Sequence, residues 1–304
     1  MRTINSVFLR MALVALFSTT LGVGLSHAQY SGGGWNGDGD GNSNCSGSDR
    51  YGSDFVIIGL TSDQRLICFG EFRPGNATTI GFVSGLTGGD TALIGIDFRV
   101  QDSKLYGVGN AGGVYTIGRT NGLATFVNRL TVALNGTSFG VDFNPAADRL
   151  RVISDTGQNL RHNVNAGGVT INDGPLSYAP PAIATGVTAA AYTNNDLDPN
   201  TATTLYDIDS NLDQVVIQSP ANAGSLAPTG KLLVNTNLSV GFDIYSTIRN
   251  ESTVNVEGFA SLTSASDGRS SFYSITLFNG KASSRGSFAA NNQVTDIAIP
   301  LRQR

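Results

Sequence analysis

From Phe55 onward the chain alternates apolar and polar residues in short runs, with tight turns between them, and that pattern predicts strands. One stretch reads as four of them: Ile94–Phe98, Lys104–Val108, Gly113–Ile117 and Ala124–Arg129, separated by turns such as Asn110-Ala111-Gly112-Gly113 and Thr120-Asn121-Gly122. Asn-Gly and Gly-Gly supply the positive φ that tight hairpins need. No stretch after the first 28 residues has an apolar period of 3.6 with capping residues, so helices are not expected.

The pattern repeats. A Gly-x-Asp strand recurs as GIDF (95–98), GVDF (140–143) and GFDI (241–244), with a degenerate copy at AAAYTN (189–194) and a last one in VTDIAI (294–299). A Leu-led strand follows as LYGVGN (105–110), LRVISD (150–155) and LYDIDS (205–210). Self-similarity at roughly 40–50 residues is the signature of four-stranded propeller blades. The first repeat, FVIIGLTS (55–62), lacks its Gly-x-Asp strand, and the last repeat ends on an extra one, NQVTDIAI (292–299). The C-terminal strand is therefore expected to complete the first blade, removing the open edges on which sheets aggregate. The expected fold is all-β, a five-bladed β-propeller closed by its C-terminal strand, with a six-bladed ring as the alternative and a β-sandwich third.

The N-terminus is written differently. MRTINSVFLRMALVALFSTTLGVGLSHA carries Arg2 and Arg10, then an apolar run from Met11 to Leu25, then small residues at a cleavage position. It reads as a secretory signal over 1–28 rather than a span, which takes about 20 apolar residues. Residues 29–54 are a Gly-, Ser- and Asp-rich lead-in, 55–300 one propeller domain, and 301–304 a tail. The expected location is outside the cytoplasm, secreted or periplasmic, with no transmembrane segment once the signal is gone. Removing the signal takes Arg2 and Arg10, leaving 17 of the 19 basic residues against 23 acidic ones, a formal charge of −6. Nothing basic is clustered, which argues against nucleic acid as a partner. In an exported chain the pair Cys45 and Cys68 most simply forms a disulfide, worth on the order of 3 kcal/mol by loop closure.

The stretch GTSFGVDFNPAADRLRVISDTGQNLRHN (136–163), with AAAYTNN (189–195), TTLYDID (203–209) and GFDI (241–244), resembles the domain of unknown function 4394 family of exported, mostly bacterial proteins. The resemblance spans about residues 55 to 299. It implies a propeller-like repeat and export; it implies no activity, and no catalytic residue is carried over.

Candidate chemistry is sparse. Asp97, Asp142, Asp243 and Asp296 occupy one position in four inner strands and could hold Ca²⁺ in a central channel; alternatively each accepts backbone N–H bonds from the following turn and ties blade to blade. Arg151 stands where the aligned copies have Tyr106 and Tyr206. With Asp155, Gln158, Asn159 and Arg161 it forms the most polar stretch of the ring, either a site or a buried Arg–Asp pair that fixes the blade. Asp38-x-Asp40-x-Asn42-x-Asn44 with Asp49 mimics a calcium loop but has Ser43 where Gly is expected, which favours a solvated tail. Asp207-x-Asp209-x-Asn211-x-Asp213 reads as a hairpin turn. His162, the one histidine beyond the signal, is expected on the surface, and its solitude excludes two-His zinc sites. No nucleophile elbow, P-loop or dinucleotide fingerprint occurs. The residues thus point to a non-enzymatic extracellular binding module for a glycan or a protein. The alternatives are a calcium-dependent hydrolase of lactones or phosphoesters and a structural matrix or coat protein.

Overall fold

The structure, a computed structural model, describes residues 56–303. The signal, the lead-in, Cys45 and the Asp38–Asp49 stretch lie outside them. Twenty strands form five four-stranded antiparallel sheets. Blade 1 is β20 (Val294–Ala298), β1 (Val56–Thr61), β2 (Arg65–Gly70) and β3 (Thr78–Phe82). Blade 2 is β4 (Leu93–Phe98), β5 (Leu105–Gly109), β6 (Gly113–Ile117) and β7 (Ala124–Arg129). Blade 3 is β8 (Phe139–Asn144), β9 (Arg149–Ser154), β10 (Asn159–His162) and β11 (Thr170–Asn172). Blade 4 is β12 (Val187–Tyr192), β13 (Leu205–Asp209), β14 (Gln214–Gln218) and β15 (Leu226–Lys231). Blade 5 is β16 (Thr236–Arg249), β17 (Ser252–Ser264), β18 (Ser270–Ile275) and β19 (Ala282–Ser287). Two single 3-10 turns, Pro74–Asn76 and Ala221–Ala223, are the helical elements among the described residues.

The ring closes as expected. β20 pairs with β1 through Ile58 with Ala298, Gly59 with Ile297 and Leu60 with Asp296, so the last strand of the chain completes the first blade. The interior is divided into five apolar clusters, one for each pair of neighbouring blades, such as Tyr106, Phe143, Val152 and Leu160 between blades 2 and 3. A blade of this kind is apolar on both faces, which explains why strands such as Val56–Thr61 are buried throughout rather than alternately.

The Gly-x-Asp strands β4, β8 and β16, with β20, which keeps the Asp but has Val294 in place of the Gly, and β12, line the centre, each against the next. The Gly is a requirement of close approach. A Cβ on Gly140 would stand 2.6 Å from the backbone nitrogen of Ala190, and one on Gly241 would stand 2.5 Å from Cα of Asp296. Side chains at these positions would push neighbouring inner strands apart.

Candidate functional site

The repeated Asp makes the complementary contact. Asp97 Oδ2 accepts the backbone N–H of Phe143 at 2.7 Å, and Asp142 Oδ1 that of Tyr192 at 3.1 Å. Asp243 Oδ2 accepts from Ile299 at 2.6 Å, and Asp296 Oδ2 from Ile96 at 2.8 Å. The bonds do tie blade to blade, but the donors lie on or just beyond the neighbouring blade's inner strand, not in the following turn as expected. Inner strands present unpaired N–H groups toward the axis, and a carboxylate one blade away satisfies them. β12 has Ala191 where the other inner strands have their Asp, so this tie is missing between blades 4 and 5. There Asn195 takes over: its N–H donates to Ser246 Oγ at 3.0 Å, and its Nδ2 to the carbonyl of Ile244 at 3.2 Å.

Oxygens of Asp97, Asp142 and Asp243 converge within 4.8 Å of one another. All four repeated Asp residues are buried. Burial, then the charges of neighbouring carboxylates, pushes Asp97 and Asp142 well above the usual carboxylate range. Burial also pushes Asp296 well up, and Asp243 to about 6. The converging oxygens could accept a hard cation, although each Asp already accepts a backbone N–H and both oxygens of Asp243 do so.

Around Arg151 the sequence-chosen residues separate into two groups. Arg151 is 3% exposed. Its Nη1 donates to Asn159 Oδ1 at 2.7 Å and to Asp173 Oδ2 at 2.8 Å, its Nη2 to Asn222 Oδ1 at 2.8 Å, and its Nε to the Tyr192 hydroxyl at 3.2 Å. Arg161 shares Asp173, with Nε 2.9 Å from Oδ2. The buried Arg–Asp pair is therefore present, and its anion is Asp173. Asp155 and Gln158 are turned elsewhere. Asp155 Oδ1 accepts the N–H groups of Thr137 and Ser138, while Gln158 accepts from the N–H of Asn135 and donates to the carbonyl of Ala133. They fasten the loop before β8.

Sequence reasoning missed Asp173, Tyr192 and Asn222, which come from a loop, from β12 and from a single 3-10 turn distant in the chain. It also placed His162 wrongly. That side chain is fully buried, with Nε2 2.9 Å from Asn128 Oδ1 and Nδ1 3.0 Å from Thr170 Oγ1. Burial lowers it to about 4, so it is a neutral core imidazole. The Asp207–Asp213 stretch is only in part a turn: Asp207 lies in the middle of β13 and Asp209 ends it, and Asp209 Oδ1 caps the N–H of Leu212 at 3.0 Å. Cys68 is buried in β2; its expected partner, Cys45, falls outside the described residues.

A feature of the outer surface was not anticipated. β16 and β17 run for 14 and 13 residues, whereas the other inner strands have five or six. Their hairpin continues beyond the ring beside the 193–204 loop. Asp196 Oδ2 accepts from the N–H and Oγ1 of Thr253 at 2.9 and 2.6 Å, and Asp198 accepts from the hydroxyl of Ser252.

The class defined by these observations is a closed five-bladed β-propeller with a carboxylate-tied centre and one projecting hairpin. The family model described as "Domain of unknown function (DUF4394)" matches residues 65–298, and the chain belongs to that family. No curated protein matches. Solved structures that it resembles include hydrazine synthase of Kuenenia stuttgartiensis, at TM-score 0.41 and 10% identity over 67% of this chain and 51% of that one. Another is a Bacteroides thetaiotaomicron protein of unknown function, at TM-score 0.45 and 12% identity over 83% of this chain and 66% of the other. A third is an auxiliary nutrient binding protein of the same organism, at TM-score 0.35 and 13% identity over 79% of this chain and 53% of that one. The chain spans about half the length of the hydrazine synthase chain it matches. Likenesses this remote say nothing of activity. Among the described residues, no helix is long and apolar enough to cross a membrane.

Proposed function

We propose that this protein is an exported, non-enzymatic recognition module of the envelope or cell exterior, binding a glycan or a protein through the loops at one end of its ring. The observation that carries this reading is the β16–β17 hairpin. It is the one inner hairpin among the described residues that extends far past its blade, and it is braced by Asp196 and Asp198 instead of being left free. Its tip exposes Asn250, Glu251 and Val254, beside the exposed Leu197 of the bracing loop. A projecting element held in one conformation loses little entropy on binding. The carboxylates at the centre support the same reading, since they are occupied in joining blades.

The test is a binding screen of the purified protein against glycan arrays and envelope polymers. It is paired with a variant in which Ile248–Val254 is replaced by an Asn-Gly turn. Binding that falls at least about tenfold in the shortened variant, a loss of about 1.4 kcal/mol, is the expected result. Equal binding by both proteins removes the hairpin from the reading. Calcium-dependent turnover of lactones or phosphoesters that disappears in Asp142→Ala replaces it with the hydrolase alternative.

A further inference from the structure

The contact between blades 3 and 4 holds a second, concealed polar feature. Arg151 stands at the position of Tyr106 and Tyr206, and one residue on, Asp207 stands at the position of Val152 and Gly107. In the neighbouring contact, Tyr106 of blade 2 and Val152 of blade 3 share one apolar cluster. In the equivalent contact, Arg151 of blade 3 and Asp207 of blade 4 take their places. The two departures from the repeat therefore face each other and have opposite charge.

They do not touch by hydrogen bond. Neither oxygen of Asp207 has a hydrogen-bond donor among the described residues, although the residue is fully buried. Gln218, 1% exposed, is in the same position: its Nε2 donates to Asn159 Oδ1 and to the carbonyl of Ala221, which settles the amide's orientation and leaves Oε1 without a donor. Asp207 pairs with Val216 and Gln218 with Leu205, so the two side chains are diagonal neighbours on one face of the β13–β14 pair. That face meets blade 3, since Leu205 and Val216 share a cluster with Ile153. Three buried acceptor oxygens thus lie on one face of the β13–β14 pair with no hydrogen-bond donor among the described residues, an arrangement that native structures avoid.

The geometry points to an internal hydration site: one or two water molecules held by Asp207 and Gln218, bridging Asp207 to Arg151 across the blade 3–4 contact. Water supplies the required chemistry, two donors for the orphaned oxygens and acceptors for the guanidinium. Charge favours it over a cation. Arg151 and Arg161 equal the charge of Asp173 and Asp207 when Asp207 is ionised and exceed it when Asp207 is protonated, so an added cation would leave the group positive. Burial pushes Asp207 well above the carboxylate range and Arg151 opposes that shift, as expected of an acid that feels the guanidinium without contacting it.

A crystal structure at a resolution that resolves ordered water, with rubidium replacing the monovalent salt, tests this directly. The expected result is one or two water peaks within about 2.7–3.2 Å of the Asp207 carboxyl and Gln218 Oε1, with no anomalous signal there. An anomalous peak at that place, a direct Arg151–Asp207 contact, or the lack of any peak overturns the proposal. Thermal melts of two variants give an independent reading. Asp207→Asn, which keeps hydrogen-bonding atoms for the water, should melt within about 3 °C of the parent. Asp207→Leu, which expels it, should melt lower by on the order of 5–10 °C. A midpoint that rises in Asp207→Leu overturns the proposal.

Discussion

The blade 2–3 and blade 3–4 contacts begin alike at the axis and diverge a few ångströms outward. Asp97 ties blade 2 to Phe143, and Asp142 ties blade 3 to Tyr192, by the same carboxylate-to-backbone bond. Beyond that bond, the first contact is aromatic: Tyr106 and Phe143 meet edge to face with centroids 5.1 Å apart. The second replaces the ring of Tyr106 with the guanidinium of Arg151 and surrounds it with Asn159, Asp173, Asn222 and Tyr192. The repeat dictates the tie and leaves the filling free. An apolar filling needs shape alone; a charged one needs every donor matched, and it imposes a penalty for each that is not.

The largest effect is expected from breaking the charged filling. Arg151→Ala leaves Asp173 facing only the half-exposed Arg161 and strands Asp207 altogether, so it should lower unfolding stability by about 3–5 kcal/mol. The matched change on the aromatic side, Tyr106→Phe, keeps the ring against Phe143 and loses the hydroxyl's bond to Asp102 and the long one it accepts from Arg99. It should cost about 1 kcal/mol. Urea midpoints of the two variants check both values; equal losses would mean that the two contacts are energetically alike and that the Arg151 network is solvated.

How much of this contrast could be read beforehand depends on the distance between partners along the chain. The blades, their order and the closing strand were legible because Gly-x-Asp and the Leu-led strand recur in register, and close approach at Gly140 and Gly241 gives that recurrence its cause. Arg151 was legible as a break in the same repeat. Its partners were not, because Asp173 lies in a loop and Asn222 in a single 3-10 turn, whose positions no local pattern fixes. Asp207 left a trace, LYD against LYG and LRV, that only gains meaning once blades 3 and 4 are known to face each other. His162 was misplaced because an Asn-rich neighbourhood looks solvated, whereas β10 turns the imidazole inward to Asn128 and Thr170. The long hairpin was written as plain alternation from Thr236 to Ser264, a pattern that fixes strand type without showing where a blade ends.

The next effect sharpens what the two contacts share. The four axial Asp residues have folded-state pKa values raised by burial, so the native ring holds protons that the unfolded chain releases. A raised pKa contributes stability that is complete below the unfolded value near 4 and is lost as pH climbs through the folded value. For Asp243, raised to about 6, the loss is on the order of 3 kcal/mol once pH exceeds 6. Asp97, Asp142 and Asp296, raised by burial in the same direction, add to that decline. His162 acts in the opposite sense: lowered to about 4, it removes stability as pH falls below its unfolded value near 6.5. Melts from pH 6.5 upward exclude the histidine, and the midpoint should fall as pH rises. A flat profile there would show that Asp97, Asp142 and Asp296 are already ionised in the fold at pH 6.5.

The smallest effect separates the tie from its charge. Asp97→Asn keeps an oxygen for the N–H of Phe143 and removes one of the three carboxylates that converge at the axis. The bond to a neutral amide is weaker than one to a carboxylate by roughly 1 kcal/mol. The desolvation and mutual repulsion that raise Asp97 vanish with its charge, and at pH 8 they outweigh that loss. Asp97→Asn should therefore be more stable than the parent at pH 8, equal to it or slightly less stable at pH 5, and flatter in between. Urea titrations at the two pH values decide the matter. If the variant is destabilised at both, the carboxylate charge itself holds blades 2 and 3 together, and the ring is better described as an anionic centre awaiting a cation than as a set of protonated ties.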